Sequence, residues 1–409
     1  MRETSVLGGT AADVRQRLAA FAGEVVAGLP HKRQRENALL YVRGLVEHGG
    51  RKSLWPTRFR LGEDAARYES LQQFLADSPW EPGELLRATA ERVYPHLGVS
   101  AWVIDDTGIP KDGTHSPGVK RQYSGTLGKI GNCQITVSLH AVGDHGTLPL
   151  GWALYLPEEW CRDQPRREKA KIPEDVTFQT KPELAAALCR EMAGWELPSA
   201  PVLADCAYGD DTAFRTRLDE LGRTYVVSVS PQISLFGPET TFVAPEPAGR
   251  RGRPRRFLIS GPPPQSAGAL VAALPEAAFQ VLPCRTTPAG EVQRGRFAFL
   301  RVVAAHPVMR DWLSPRPEWL IVEWPKNAEA PTDFWLSNLP AEEDLEHLAR
   351  LARLRWTIEL DYRQLKGELG LDHYEGRSYL GFHHHCALVS LAHGFLTLER
   401  LDPKAPRPA

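Results

Sequence analysis

Arg355, Glu359 and Lys366 stand at i, i+4 and i+11 in an amphipathic stretch covering residues 351–374. Four residues is about one helical turn and seven about two, so on a helix the three polar heads line up. A solvated ladder of ion pairs would leave the same pattern, each pair adding a few tenths of a kcal/mol. Two further acids change what the stripe could do. Asp106 follows the apolar run 101–104, and Asp205 follows the run 201–204. Each reads as a buried strand stopping at a carboxylate, although an aspartate there can equally be a turn or helix-cap residue. Carboxylates fixed by strand ends suit two-metal phosphoryl transfer, in which two Mg2+ ions about 4 Å apart clamp the attacking and leaving oxygens. Glu359 would bring the third carboxylate from a helix, with Arg355 and Lys366 beside it for phosphate.

The elements that must position these residues follow from the hydrophobic period. Leu351, Leu354, Ile358, Tyr362, Leu365 and Leu369 recur at three- and four-residue steps, which predicts one long helix ending at Gly370. Residues 11–97 keep the helical period throughout and predict an all-α N-terminal region. That region is either a plain bundle or a DNA-docking unit. From residue 100 the period changes to that of strands: 101–104, 134–142 and 147–156, the last two adjacent with a turn between them and so an antiparallel start to a mixed sheet. A helix over 183–195, a strand over 201–205, a helix over 211–221 and a strand over 224–229 continue an α/β core. Residues 231–340 are proline-rich, with short strand-like runs and almost no helical period, and predict a β-rich insertion. A final helix covers 379–401. The expected domains are 1–98, helical; 99–230, first part of the core; 231–340, insertion; 341–402, C-terminal helices of the core; and 403–409, a disordered tail.

Composition narrows the class. The chain has 409 residues, 42% hydrophobic and 24% charged, enough for two or three domains with a large core. No apolar run approaches a membrane span, and the N-terminus lacks the apolar centre of a signal peptide. The six cysteines are scattered without CxxC spacing, which points to a reducing cytoplasm rather than a zinc or disulfide framework. A net charge of −1 counts mildly against nucleic acid, but local clusters can supply the contacts. One is Arg250, Arg251, Arg253, Arg255 and Arg256, a density of arginine suited to phosphates and narrow minor grooves, or else a solvated loop. The cluster resembles the short RGRP element that lies in the DNA minor groove. Lys120, Arg121 and Lys129 read as a phosphate-facing loop. Trp312, Trp319, Trp324 and Trp335 could stack on an extruded base, with core packing the better reading. His383, His384 and His385 point about 100° apart on a helix and read as packing rather than as an ion site.

The blocks DDTGIPKDG, GVKRQYSGTLGKIGNCQ, LPEEW, VLADCAYGDD, FWLSNLP and RWTIELDYRQLKGELGLDHYEGRS resemble, in order, those of bacterial insertion-sequence transposases of the DDE type. The resemblance runs from about residue 40 to 398. It implies an RNase H-like mixed sheet with flanking helices and a β-rich insertion between the second and third acids. It also implies that Asp106 (or Asp105), Asp205 and Glu359 hold two Mg2+ ions, with Mn2+ able to substitute. Arg355 and Lys366 match the family's signature around the third acid, while Ala352 stands where some relatives carry tyrosine. The implied activity is cut-and-paste transposition of double-stranded DNA, from terminal inverted repeats to target DNA, by a homodimer on DNA in the nucleoid. The alternatives are a catalytically inactive DNA-binding descendant and another RNase H-like nuclease such as a junction resolvase.

Overall fold

The computed structural model describes residues 11–47, 49–62, 65–126, 128–243, 258–286, 290–309 and 314–401. The chain opens with five helices: α1 (Ala11–Val25), α2 (Lys32–Val46), α3 (Leu54–Leu61), α4 (Ala65–Ala76) and α5 (Pro82–Val93). Next come strands β1 (Val99–Pro110), β2 (Lys120–Ser124), β3 (Lys129–Gly143) and β4 (Gly146–Tyr155), and helices α6 (Glu158–Arg162), α7 (Gln164–Lys169) and α8 (Lys181–Ala193). β5 (Val202–Ala204), α9 (Cys206–Gly209), α10 (Thr212–Glu220) and β6 (Tyr225–Ser228) follow. The segment after β6 is mostly strand: β7 (Ser234–Phe236), β8 (Thr241–Val243), β9 (Leu258–Ser260), β10 (Gln265–Ser266), α11 (Ala267–Ala272), β11 (Gln280–Thr286), β12 (Val292–Ala304), α12 (Ala305–Met309), β13 (Pro317–Glu323) and β14 (Asp333–Ser337). Helices α13 (Leu345–Leu354), α14 (Thr357–Gly367) and α15 (Tyr379–Leu401) close the described chain. The expected class, mixed α/β of the RNase H-like kind with a helical N-terminal region and a β-rich insertion, is the class observed.

Two compact units divide the chain: Met1–Pro198 with Thr357–Ala409, and Ser199–Trp356. In the first, β3 is the centre of an antiparallel meander, paired with β1, β2 and β4. Helix α15 is buried along nearly its whole length, which is why it is apolar all round rather than on one stripe. Polar residues on it find partners: Trp152 Nε1 donates to Ser390 Oγ at 2.8 Å, and the His384 ring stacks on Trp80 with centroids 3.7 Å apart. α8 covers the other face of the meander, where Gly151 leaves room for Leu188 and Met192. In the second unit β5 and β6 run parallel. Strand β14 pairs with β6, and β13, β12 and β7 extend the antiparallel part, with β11 also on β12. No helix among the described residues is long and apolar enough to cross a membrane.

One expected element is divided. The helix predicted to run unbroken to Gly370 is two helices, α13 and α14, with a turn at Arg355–Trp356. Two side-chain contacts hold the end of α13 and outweigh local helix propensity. The Arg353 guanidinium pairs with the buried Glu323 carboxylate at 2.8 Å, and the Trp356 ring lies 3.5 Å beneath the Arg285 guanidinium. At the far end the expectation holds, with Gly370 at φ 68, a conformation glycine adopts without a Cβ penalty.

Candidate active site

Successive strand residues face opposite ways, so Asp105 and Asp106 cannot serve the same face of β1. Asp105 is registered against Ser138 of β3, and Ser138 Oγ lies 2.7 Å from the Tyr362 hydroxyl of α14. Asp105 therefore shares the face that α14 covers. Asp106 is registered against Val137 and turns to the α8 face, where its Oδ2 accepts from Lys181 Nζ at 2.8 Å. The Tyr362 phenol reports the same geometry. Burial pushes its pKa well above the usual value, the Asp105 carboxylate adds to that, and Asp106 contributes less.

Helix α14 is held to the meander by buried polar contacts. Asp361 Oδ2 lies 2.9 Å from His140 Nδ1, and Asp361 Oδ1 accepts from Thr147 Oγ1 at 2.6 Å. His393 of α15 lies 3.2 Å from the same threonine hydroxyl. Seven residues past Glu359, Lys366 Nζ donates to the Gly108 carbonyl at 2.9 Å and to Thr126 Oγ1 at 3.0 Å. Burial lowers the Lys366 pKa to about 8. Gly108 also lets Ser124 close in on the strand, because a Cβ there would overlap Ser124 Oγ.

These anchors fix the helix direction. Lys366 meets β1 at Gly108, and Tyr362, one turn earlier, meets the sheet at the level of Asp105. α14 thus runs the same way as β1. Helical rise is about 1.5 Å per residue and strand rise about 3.3 Å, so Glu359, three residues back from Tyr362, falls about 4.5 Å before the level of Asp105, nearer that of Ile104. Glu359 is exposed in the first turn of α14.

In the second unit Asp205 follows β5 and caps α9, its Oδ1 accepting from Ala207 N at 2.9 Å. Arg355 is the C-cap of α13, and the buried Ala352 stands one turn before it. Arg355 is therefore not on one continuous helical stripe with Glu359 and Lys366, as the sequence spacing suggested.

Residues 24–287 match the family described as DDE superfamily endonuclease, and residues 180–395 match the transposase DDE domain family, each more than half the chain. The chain belongs to the DDE transposase family. It is also similar to a protein of Microchaete diplosiphon described as a probable transposase for insertion sequence element IS701, with 32% identity over 164 residues. That alignment covers 39% of this chain and 40% of the relative's length.

The remaining candidate residues of this transposase fall in several settings. Lys120, Arg121 and Lys129 lie on a β-hairpin rather than a loop, since β2 and the start of β3 pair from Lys120↔Cys133 to Ser124↔Lys129. Lys120 is held by Glu159 at 2.8 Å, while Arg121 and Lys129 are exposed. Arg250, Arg251, Arg253, Arg255, Arg256 and Trp312 lie outside the described residues. Trp335 is a core residue, and Trp319 and Trp324 are pinned by indole hydrogen bonds to Pro340 O and Ala328 O with an arginine over each ring. The histidine run packs: His384 and His385 are fully buried, and burial lowers the His383 and His385 pKa values to about 4 and about 3.

The donors suit a hard divalent cation in type, being carboxylates on a strand, a strand end and a helix. Among the described residues no group of three or more His, Cys, Asp or Glu side chains is placed to hold a metal ion. The spacing-based reading missed Tyr362, Asp361, Ser138, His140, Lys181 and Thr126. Tyr362 did carry a signal as part of the apolar stripe, but its hydroxyl bond depends on a strand more than two hundred residues away.

Proposed function

We propose that this transposase performs cut-and-paste DNA transposition. Water hydrolyses the phosphodiester at each transposon end, breaking the bond from phosphorus to the 3′ oxygen and leaving a free 3′ hydroxyl. That hydroxyl then attacks a target phosphodiester in line, forming a new ester as the target's own 3′ oxygen leaves. Asp105, Asp205 and Glu359 would hold two Mg2+ ions, with Mn2+ able to substitute. Such ions, when bound, stabilise charge on the attacking and leaving oxygens. Asp105 is preferred to Asp106 because it faces α14, whereas Asp106 is paired with Lys181 on the other face.

The chain's own groups do the positioning. Buried bonds from Asp361 and Tyr362 hold α14 so that Glu359 is presented from a fixed helix rather than a loose one. Lys366 and Arg355 steady the phosphate backbone, and the helical region 1–98 docks the DNA. Handling two ends together calls for a dimer on double-stranded DNA, and the work belongs in the nucleoid. The observation that carries the proposal is the sharing of one sheet face by Asp105 and the helix bearing Glu359. Glu359→Gln tests it on a labelled duplex taken from the DNA flanking the reading frame. The variant should bind the end as wild type does and fail to cut it, and retained cutting refutes the assignment.

A further inference from the structure

The hairpin of β2 and β3 carries a feature that phosphate binding does not use. Tyr123 and Ile130 are cross-strand partners, directly opposite each other, and both are exposed, at 64% and 57%. Such a cross-strand pair steadies the hairpin, and two large apolar side chains left adjacent and exposed also offer a surface for contact. Arg121 lies two residues before Tyr123 on the same strand face, and exposed Lys129 adjoins Ile130. The next turn of the hairpin is bound to the site itself. Thr126 Oγ1 accepts from Lys366 Nζ and lies 3.4 Å from Thr107 Oγ1, directly after the acid pair. Ser124 is buried against Gly108. The apolar pair is therefore held on a rigid base at the rim of the Asp105–Glu359 face, with cations around it.

We infer that Tyr123 and Ile130 form a wedge that enters the base stack of double-stranded DNA beside the scissile phosphate, guided by Arg121 and Lys129. Apolar side chains inserted between base steps unstack and bend a duplex, and flanking cations meet its phosphates. Opening the stack there would let the cut phosphate reach the carboxylates without the strand being held by its neighbours. The inference rests on the proposed DNA cleavage.

The test uses full-length protein and an end duplex carrying 2-aminopurine next to the scissile phosphate, in Ca2+ to hold the DNA uncut. Wild type and Glu359→Gln should raise the fluorescence. The double variant Tyr123→Ala with Ile130→Ala should not, and Tyr123→Phe should restore the rise. In Mg2+ the double variant should lose about ten-fold in cutting of the paired duplex, the scale of a lost base–aromatic stack. It should recover most of that on a duplex mismatched at the same step. A full fluorescence rise with the double variant, or an equal loss on paired and mismatched DNA, overturns the wedge. Failure of the cleavage reading shows separately, as wild type that cuts neither duplex, and the fluorescence arm still decides the wedge.

Discussion

The Tyr362 hydroxyl lies 2.7 Å from Ser138 Oγ, and Ser138 stands directly across the ladder from Asp105. This bond, with those of Asp361 and Lys366, joins the helix that carries Glu359 to the strand pair that carries Asp105. Both partners are buried, so neither can exchange its lost partner for water.

Tyr362→Phe removes the bond and strands the serine hydroxyl. The expected cost is about 1–3 kcal/mol of unfolding free energy in urea. End cleavage should fall by more than end binding, because Glu359 is then presented from a looser helix. Unchanged cleavage with the expected loss of stability would restrict Tyr362 to a packing role.

Gly108→Ala should do harm from the strand side. An alanine in a strand interior usually gains about 0.5–1 kcal/mol over glycine. Here its Cβ would overlap Ser124 Oγ, so the turn bearing Thr126 must move and Lys366 loses one of its two acceptors. A net loss of about 1–3 kcal/mol is expected, as for overpacked sites. A thermal melt of the variant measures it, and a raised Tm would contradict the close approach.

The buried histidines set an acid limit on stability. Burial holds His383 and His393 at about 4 and His385 at about 3, against an ordinary value near 6.5. Below pH 6.5 the unfolded chain takes up protons that the folded chain refuses, so stability is complete above pH 6.5 and falls as pH drops towards 4. Each histidine costs about 1.4 kcal/mol per pH unit across that window. Urea midpoints at pH 7, 6 and 5 should therefore drop progressively, and His383→Gln, at the half-buried position, should flatten the slope.

How far the sequence discloses this molecule differs from element to element. α15 was legible to its ends, because an apolar run of that length has to be a buried helix. Strand β3 was legible from alternation, and the β-rich character after residue 231 from its prolines and missing helical period; β1 was legible only as the apolar run 101–104 and does not stop at the acids as expected, because its pairing with β3 carries it on to Pro110. The turn at Arg355–Trp356 was not, since it is imposed by Arg285 and Glu323, residues distant in sequence. The β2 hairpin was hidden by its polar composition, KRQYS, which offers no apolar alternation. Adjacent acids such as Asp105 and Asp106 are indistinguishable by type. Only the pairing of β1 with β3, and the helix above it, shows which one faces α14.

The central claim is that the acid on the α14 face of β1, not its neighbour, works with Glu359. The direct measurement is end-duplex nicking in Mn2+ by Asp105→Asn and Asp106→Asn, side by side, with binding of each measured in Ca2+. Asp105→Asn should bind and cut nothing, while Asp106→Asn should bind and keep cutting. Cutting by Asp105→Asn, with Asp106→Asn inert, would contradict the account.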